Sequence, residues 1–423
     1  MLDCRGYFFE SCVKLRSQNQ GVEFDTKKDT MKTIQQILEE CKMLAFDLNF
    51  THSKNWLEKN KNGVVVGYMP IYFPREIIHA AGGLPVGVFG GGDRKQIIKG
   101  DAYYQSYICH IPRSIMELAL DKHMAHFSGF IFPSICDVIR NLSGIFKQQK
   151  IGTFVKYMDF PQNFLPEIGG VFYQQEMQHV LAYIKEINGI EVTTEGLNHS
   201  IDLYNKNRRM IDFIYKIRQE YPWRLSIVDV YHIVRAGTVI PVEEHNVILE
   251  QVCEYIKGDV GTPQDKIKVV VSGAFCEQPA IGLIRAIEEA GCYIVDDDFM
   301  LGSRMIIGDI DATTKNPLES IALSYIKQSQ YSSSIYDVHD PKEYRLAKIV
   351  KDRKADGVIF ASASFCDPSL LDAPIFQNAF NKMGIRYISF QYSENINQFK
   401  VIKEQVGAFS DSIKLWEDEP TVA

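Results

Sequence analysis

Two Cys-Asp pairs follow apolar, strand-like segments at distant points of the chain. Residues 129–137 read GFIFPSICD and residues 357–367 read GVIFASASFCD, so Cys136 and Cys366 each come just after a buried strand. In open α/β sheets, ligands and cofactors bind at the carboxyl ends of the strands. The repeated plan predicts that both cysteines serve one site.

Cys109 is a third cysteine in such a position, because it precedes a helix expected to start near Pro112. A helix N-terminus carries a positive field that favours the thiolate, which is the metal-binding form. The separations of 27 and 230 residues between these cysteines become meaningful only if two domains face each other across a cleft. Three thiolates suit an iron–sulfur cluster with one iron left open. Zinc with a bound water, or three structural cysteines, are the alternatives; Cys276 is a fourth candidate.

Four further residues beside these cysteines have possible roles. Asp137, Arg140 and Asp367 could hydrogen-bond sulfur or substrate and tune a reduction potential. Their alternative role is to cap helices or pair with other surface charges. His110 is a candidate general acid because a histidine titrates in the right range, and a turn histidine with satisfied hydrogen bonds is the alternative.

The remaining acidic and thiol groups are predicted to be structural. None of the nine cysteines forms a CxxC pair, which excludes a dense disulfide framework and the common zinc-ribbon spacings. Small buried apolar side chains are predicted at Cys4, Cys12, Cys41, Cys253 and Cys292. Asp296–Asp298 could bind a hard cation, but successive strand residues face opposite sides, which favours helix capping and hydrogen bonds to the next loop.

Composition limits the class of protein. The 423 residues are 46% hydrophobic with a net charge of −7, which indicates a globular protein and argues against nucleic-acid or membrane-surface binding. The longest apolar runs, such as Ile267–Ala274, are too short to span a bilayer, and the first residues lack the layout of a signal peptide. We therefore expect a cytoplasmic protein. The sequence has no P-loop, so a reaction that needs ATP would use another polypeptide to hydrolyse it.

The elements that position the cysteines form two βαβ patterns. Near residues 63–88 and again from residue 266 onward, strand, helix and strand follow in order, which implies parallel sheets. We predict an α/β fold with two similar parallel-sheet domains of the Rossmann or flavodoxin-like kind, and a ligand cleft between them. We predict a helical N-terminal segment over residues 1–60 and a first domain over residues 61–172. A solvated helical connector is predicted over residues 173–262, and a second domain with a C-terminal helix over residues 263–423.

Together these motifs resemble the family of benzoyl-CoA reductase and 2-hydroxyacyl-CoA dehydratase subunits. The resemblance covers roughly residues 60–420. It is carried by these segments: Tyr72-Phe-Pro74 with Glu76 and Ala80-Ala-Gly82, Cys109, Pro133-Ser-Ile-Cys136-Asp137 with Arg140, Asp296-Asp-Asp298 with Gly302-Ser-Arg304, Cys366-Asp-Pro368, and the tail from Tyr392 to Phe409. The run from Phe360 to Trp416 looks most like the B-type subunit of the ATP-dependent, class I benzoyl-CoA reductases.

The resemblance implies a subunit that holds one [4Fe-4S] cluster, with Cys109, Cys136 and Cys366 as ligands. It implies a related cluster-bearing partner, an aromatic acyl-CoA substrate such as benzoyl-CoA, and two ATPase subunits that pass on electrons from ferredoxin. ATP would be bound by those partners and not by this chain. The implied reaction reduces the CoA-bound ring to a cyclic dienoyl-CoA. The alternative is a dehydratase subunit that eliminates water from a 2-hydroxyacyl-CoA through a ketyl radical. A less favoured alternative is a scaffold that carries a cluster without catalysis.

Overall fold

The computed structural model of the protein describes residues 32–69, 71–273, 281–333, 335–393 and 398–417. A first unit comprises Met1–Thr33, of which only the last two residues are described, and the chain from Ile34 onward forms one compact unit. Three of the cysteines named above, Cys4, Cys12 and Cys276, lie outside the described residues. In the parts of the chain that are described, no helix is long and apolar enough to cross a membrane.

The first sheet has four parallel strands in the order β2-β1-β3-β4. The strands are β1 Val64–Tyr68, β2 Gly83–Gly87, β3 Gly129–Pro133 and β4 Phe154–Met158. Every residue of β1 and β3 is buried, as expected for central parallel strands that are covered by helices on both faces. This pattern explains why their sequences are continuous apolar runs.

The second sheet repeats the topology of the first, with the strand order β6-β5-β7-β8. Its strands, which are also all parallel, are β5 Ile267–Ser272, β6 Cys292–Asp297, β7 Gly357–Ala363 and β8 Tyr387–Tyr392. In each sheet the first and third strands are neighbours, which creates a crevice at their carboxyl ends. The predicted α/β fold with two similar parallel-sheet domains is confirmed.

Helices cover the sheets and connect them. The first half contains α1 Ile34–Ala45, α2 Thr51–Lys59, α3 Arg75–Ala80, α4 His110–Leu120 and α5 Asp137–Gln148. The connecting helices are α6 Val171–Asn188, α7 Thr194–Glu220, α8 Ile227–Ala236 and α9 Val242–Lys257. The second half contains α10 Ile281–Glu289, α11 Pro317–Gln328, α12 Lys342–Asp352, α13 Asp367–Met383 and α14 Phe399–Glu417.

One face of helix α7 is buried between the cores of the two sheets, so the predicted connector is helical but is solvated on its other face only. Its first half adds Leu197 and Ile201 to the core of the first sheet, and its second half adds Ile211 and Ile214 to the core of the second. The charged residues that suggested solvation are partly buried too. Arg208, for example, donates a 2.6 Å hydrogen bond to the buried Glu76 carboxylate. The helix is therefore a shared structural layer.

Helices α1 and α11 each pack against the sheet that is formed by the other half of the chain. Ile37 and Cys41 of α1 belong to the core of the second sheet, although α1 precedes the first sheet in the chain. Ile321 and Tyr325 of α11 belong to the core of the first sheet. These exchanges tie the two halves together, and the domain boundaries at residues 60, 172 and 262 stay predictions.

Candidate functional site

Cys136 immediately precedes helix α5 and comes three residues after the end of strand β3. Its backbone is extended, with φ −163° and ψ 168°, and the chain enters the helix at the next residue. The backbone N–H groups of Val138 and Ile139 act on its thiol in the direction that favours the thiolate. A sulfur atom at this place lies where parallel sheets present their ligand-binding groups.

Cys366 has the same position in the second sheet. It comes three residues after the end of β7 and immediately precedes α13. Its backbone N–H donates a 3.1 Å hydrogen bond to the Ala363 carbonyl, which closes a tight turn. Phe365 lies within this turn with a φ of 63°, a left-handed conformation that costs a non-glycine residue about 1 to 2 kcal/mol. Backbone strain of this kind concentrates at functional sites.

Cys109 is the third cysteine that immediately precedes a helix. Helix α4 begins at His110, two residues earlier than the sequence predicted, and Cys109 is buried in front of it. All three predicted ligands are therefore located at helix N-termini. Each helix presents unpaired backbone N–H groups and a positive dipole end, which stabilise negative charge on a sulfur ligand.

A cavity of about 630 Å³ brings the three cysteines together. The first half of the chain contributes Cys109 and Cys136, and the second half contributes Cys366. The remaining wall is Met69, Ile111, Pro112, Ser134, Ile135, Asp137, Val138, Ile139, Arg140, Tyr157, Asp159, Phe160, Gln162, Ser333, Phe365, Asp367, Pro368 and Leu371. Cysteines from both halves of the chain thus line one cavity, and their role as ligands stays a prediction.

The thiols of the cavity are close enough to influence one another. Burial, with smaller contributions from the thiols of Cys109 and Cys366, raises the pKa of Cys136 to about 12. All three cysteines are free of disulfide bonds. At neutral pH the Cys136 thiol is therefore protonated in the protein alone, and a bound metal would have to displace its proton.

The thiols line one cavity without converging on one point. Within the described residues, no group of three or more His, Cys, Asp or Glu side chains is arranged to hold a metal ion. A zinc site would need its sulfur ligands about 2.3 Å from a single ion. A cluster makes a different demand, because its cysteines bind separate iron atoms.

The predicted charged neighbours lie on the solvent side of the cavity. Asp137 and Arg140 form a 3.3 Å ion pair between exposed side chains, and the Asp367 side chain is also exposed. The Arg140 guanidinium lies 5.9 Å from the centre of the Tyr157 ring, and Tyr157, with a smaller contribution from Asp137, raises the pKa of the arginine. These four side chains line the cavity together with the cysteines. Exposed pairs of this kind add little to stability, so their position at the opening is the more informative feature.

His110 lies beside a second, smaller cavity of about 50 Å³. Cys109, Ile111 and Phe365 line both cavities, whereas His110 is among the lining residues of the smaller one. The histidine is half-buried at the first position of α4. Its role as a general acid stays a prediction.

The sequence motifs assign no role to Tyr104 or Phe365. Tyr104 has a buried hydroxyl without a hydrogen-bond partner among the described residues, and burial, with smaller contributions from the thiols of Cys109 and Cys136, raises the pKa of this hydroxyl. The cluster of tyrosines ahead of Cys109 was the available signal. No sequence signal marks Phe365, because a left-handed φ is unusual for an aromatic residue.

The three consecutive aspartates form buried hydrogen bonds and ion pairs. Asp296 accepts hydrogen bonds from Arg304 at 2.8 Å and from Arg353 at 2.6 Å. Asp297 accepts one from the Tyr215 hydroxyl, and Asp298 accepts one from the Gly273 N–H. The predicted hydrogen-bonding role agrees with these contacts, and two segments of the family resemblance, 296–298 and 302–304, are in direct contact.

The fold and cavity define a two-domain α/β protein with three cysteines at helix N-termini around a cleft. The profile of the 2-hydroxyglutaryl-CoA dehydratase D-component family matches residues 70–413, and the chain belongs to this family. The resemblance that the sequence motifs suggested is therefore confirmed.

Three relatives show how the family divides. A C-type subunit of the benzoyl-CoA reductase of Thauera aromatica is 44% identical over 90% of this chain and 98% of its own length. The beta subunit of the lactoyl-CoA dehydratase of Anaerotignum propionicum is 28% identical over 90% of this chain and all of its own length. The beta subunit of the (R)-2-hydroxyglutaryl-CoA dehydratase of Acidaminococcus fermentans is 27% identical over 82% of this chain and 92% of its own. The reductase relative is thus of the C type, whereas the C-terminal run of this chain suggests a B-type subunit.

Proposed function

We propose that this chain is the iron–sulfur subunit of a benzoyl-CoA reductase. It would hold a [4Fe-4S] cluster through Cys109, Cys136 and Cys366 and take part in the reduction of an aromatic acyl-CoA to a cyclic dienoyl-CoA. The observation that carries the proposal is the shared cavity: three cysteines separated by 27 and 230 residues line one space of about 630 Å³.

The residues present fit such a group. Each cysteine lies at a helix N-terminus, where the positive end of the helix stabilises thiolate charge. Within the described residues no group of three or more His, Cys, Asp or Glu side chains is arranged to hold a metal ion, so the proposal rests on the shared cavity. Three thiolates would leave one iron open to another ligand. When bound, the cluster supplies one-electron chemistry at low potential.

The protein's own side chains would bind and orient the substrate and limit water. Ile111, Ile135 and Phe160 give the cavity an apolar wall, which suits an aromatic ring. Arg140 is the exposed cation at the opening and would face the anionic portion of a CoA thioester. Asp137 and Asp367 place negative charge in the first turns of their helices, where the positive helix ends would stabilise it. His110 is the candidate proton donor from the neighbouring cavity.

The partners follow from the same proposal. A related cluster-bearing protein would complete the catalytic unit, and two ATPase subunits fed by ferredoxin would deliver electrons. This chain has no P-loop, so nucleotide binding is assigned to those partners. We place the assembly in the cytoplasm.

The second candidate function is that of a 2-hydroxyacyl-CoA dehydratase subunit. It is favoured by the two dehydratase beta subunits, at 28% and 27% identity, but the reductase relative is more similar at 44%. Consumption of reducing equivalents separates the two functions. A reductase uses ATP and electrons at every turnover, whereas a dehydratase recycles its electron and needs only priming.

The deciding experiment is an anaerobic assay of the chain purified with its co-expressed partners. Benzoyl-CoA, ATP and a low-potential donor should give a dienoyl-CoA, with donor oxidation and ATP hydrolysis proportional to product. A 2-hydroxyacyl-CoA with catalytic ATP tests the dehydratase in parallel. Dehydration without net donor oxidation would replace the first proposal by the second, and a protein without iron or acyl-CoA turnover would refute both.

A further inference from the structure

Phe365 is an exposed aromatic residue in the wall of the three-cysteine cavity. The residue is 51% exposed and lies directly before Cys366, which is one of the predicted ligands. The other two aromatic residues of this wall are Tyr157, which is half-buried, and Phe160, which is buried. Phe365 is therefore the most exposed aromatic residue that lines the cavity.

The wall next to Phe365 is apolar. Pro368 and Leu371, from the first two turns of α13, line the same cavity, and Leu371 is 74% exposed. Single exposed apolar side chains are common on protein surfaces, but two in the wall of one cavity form a surface that a bound apolar group would cover. Pockets for small molecules are lined mainly by apolar and aromatic side chains of this kind.

The backbone at Phe365 gives an independent indication. Its φ of 63° is a left-handed conformation, which glycine or asparagine adopts at a lower energetic cost. Half of the side chain is exposed, so burial of the ring does not explain why phenylalanine stands at this position. Strained backbone of this kind persists at sites that bind ligands. The exposed ring and the strain together indicate that the side chain contacts something outside the protein's own core.

A phenyl ring can distinguish an aromatic acyl group from a saturated one. Aromatic pairs adopt offset-stacked or edge-to-face arrangements that stabilise them beyond the burial of apolar area. The benzoyl group of benzoyl-CoA has a ring for such a pair, whereas an aliphatic 2-hydroxyacyl group has none. A saturated ring of similar size would bury similar area against Phe365 but would lack the aromatic contribution.

We propose that Phe365 contacts the ring of an aromatic acyl-CoA in the three-cysteine cavity and makes the protein select aromatic over saturated acyl groups. The inference rests on the proposed function, since it needs an acyl-CoA in this cavity. The contact makes no bond and transfers no proton or electron. Phe365 is thus a specificity-determining residue, and the strained turn before Cys366 keeps its ring in the cavity wall.

The test compares two ligands on the anaerobically purified complex of this chain with its partners. Isothermal titration calorimetry measures the Kd of benzoyl-CoA and of cyclohexanecarboxyl-CoA, which has a saturated ring. ATP and the electron donor are left out, so that no turnover takes place. Phe365→Leu keeps an apolar side chain and the backbone strain but removes the aromatic face. It should weaken the binding of benzoyl-CoA by about 2- to 10-fold and leave that of cyclohexanecarboxyl-CoA unchanged.

Two further variants isolate the contribution of the ring. Phe365→Tyr retains the aromatic face and should keep the wild-type preference for benzoyl-CoA. Phe172→Leu is the matched control, because Phe172 is 38% exposed in the first turn of α6 and lines neither of the two cavities, so both Kd values should equal those of wild type. Urea denaturation verifies that each variant is folded under the conditions of the titration.

The outcomes that would overturn the inference differ from those that would overturn the proposed function. Unchanged benzoyl-CoA binding in Phe365→Leu, or an equal loss for both ligands, would refute the inference, while binding of benzoyl-CoA by wild type would leave the proposed function intact. A wild-type complex that binds lactoyl-CoA but not benzoyl-CoA would refute the inference and favour the dehydratase. A wild-type complex that binds no acyl-CoA would refute the inference and the proposed function together.

Discussion

Cys136 and Cys366 occupy equivalent positions in the two sheets: each follows the third strand of its sheet by three residues and immediately precedes a helix that begins with aspartate. The shared topology therefore presents one thiol from each half of the chain to the same cavity. Cys109 has no such counterpart among the described residues, since the helix that precedes β7 begins at Lys342 and follows Pro341. The repeat is thus broken at this position.

Loss of a cavity cysteine should remove iron, whereas loss of a distant cysteine should not. Cys136→Ala and Cys366→Ala should each reduce iron affinity by about 10-fold or more, because the loss of a ligand costs at least as much as the loss of its supporting contacts. Cys253→Ala is the control, since Cys253 is buried in α9 and its thiol donates to the Met210 carbonyl. Iron per chain after anaerobic purification is the measurement. Equal iron in all three variants would contradict the ligand assignment.

The strain at Phe365 predicts a stability gain for one substitution and not for another. Asparagine adopts the left-handed conformation more easily than phenylalanine does, so Phe365→Asn should raise the free energy of unfolding by about 0.5 to 1 kcal/mol. Phe365→Ala retains the backbone penalty and should gain nothing. Because the side chain is 51% exposed, both variants lose similar packing. Urea denaturation compares them, and equal stability of the two variants would argue against strain at this turn.

Breaking the buried ion pair between Asp296 and Arg304 should be costly. Burial opposes the charge on Asp296, but Arg304 and Arg353 outweigh it and hold the pKa of this carboxyl below its usual value. Arg304→Met would remove one partner of a buried charge and should lower the free energy of unfolding by about 3 to 5 kcal/mol.

Arg209→Met is the matched control for that variant. Arg209 forms a 2.6 Å pair with Asp309, but both side chains are about half exposed, so its loss should cost about 1 kcal/mol or less. Denaturant titration at neutral pH measures both variants. A cost for Arg304→Met as small as that of the control would show that the buried pair does not hold the end of β6 in place.

His245 should make the stability of the protein depend on pH below neutrality. Burial, with the nearby charge of Arg75, lowers its pKa to about 3, and the ring hydrogen-bonds the Asn207 side chain and the Ile233 carbonyl. The folded pKa lies below the unfolded value of 6.5, so the unfolded state takes up a proton first. The stabilisation is therefore complete above pH 6.5 and is lost as the pH falls toward 3.

A variant without the imidazole isolates this contribution. From pH 7 to pH 5, the free energy of unfolding of wild type should fall by about 2 kcal/mol more than that of His245→Gln, since each pH unit contributes about 1.4 kcal/mol. Denaturant titrations at the two pH values give the comparison. Parallel losses in both proteins would show that His245 is not kept neutral by the fold.

Local patterns were sufficient to predict the strands and the turns that follow them. The apolar runs of β1, β3 and β7 and the glycines that begin β3 and β7 are visible in the sequence, and the start of the helix after Cys109 could be located to within two residues. The prediction of a solvated connector missed the buried face of α7 for a physical reason. The charged residues of α7 suggested exposure to solvent. Their buried partners, such as Glu76 as the acceptor for Arg208, come from distant segments that the local sequence pattern does not reveal.

The sequence by itself determined which residues stand at the ends of the parallel strands, because strand periodicity, glycines and helix starts depend on neighbours along the chain. It also carried the family motifs. Only the tertiary structure decided that Cys109, Cys136 and Cys366 share one cavity, and that Phe365 adopts a left-handed conformation next to Cys366. Those relationships depend on how the two sheets pack across helix α7, and packing between segments up to 230 residues apart leaves no local signature.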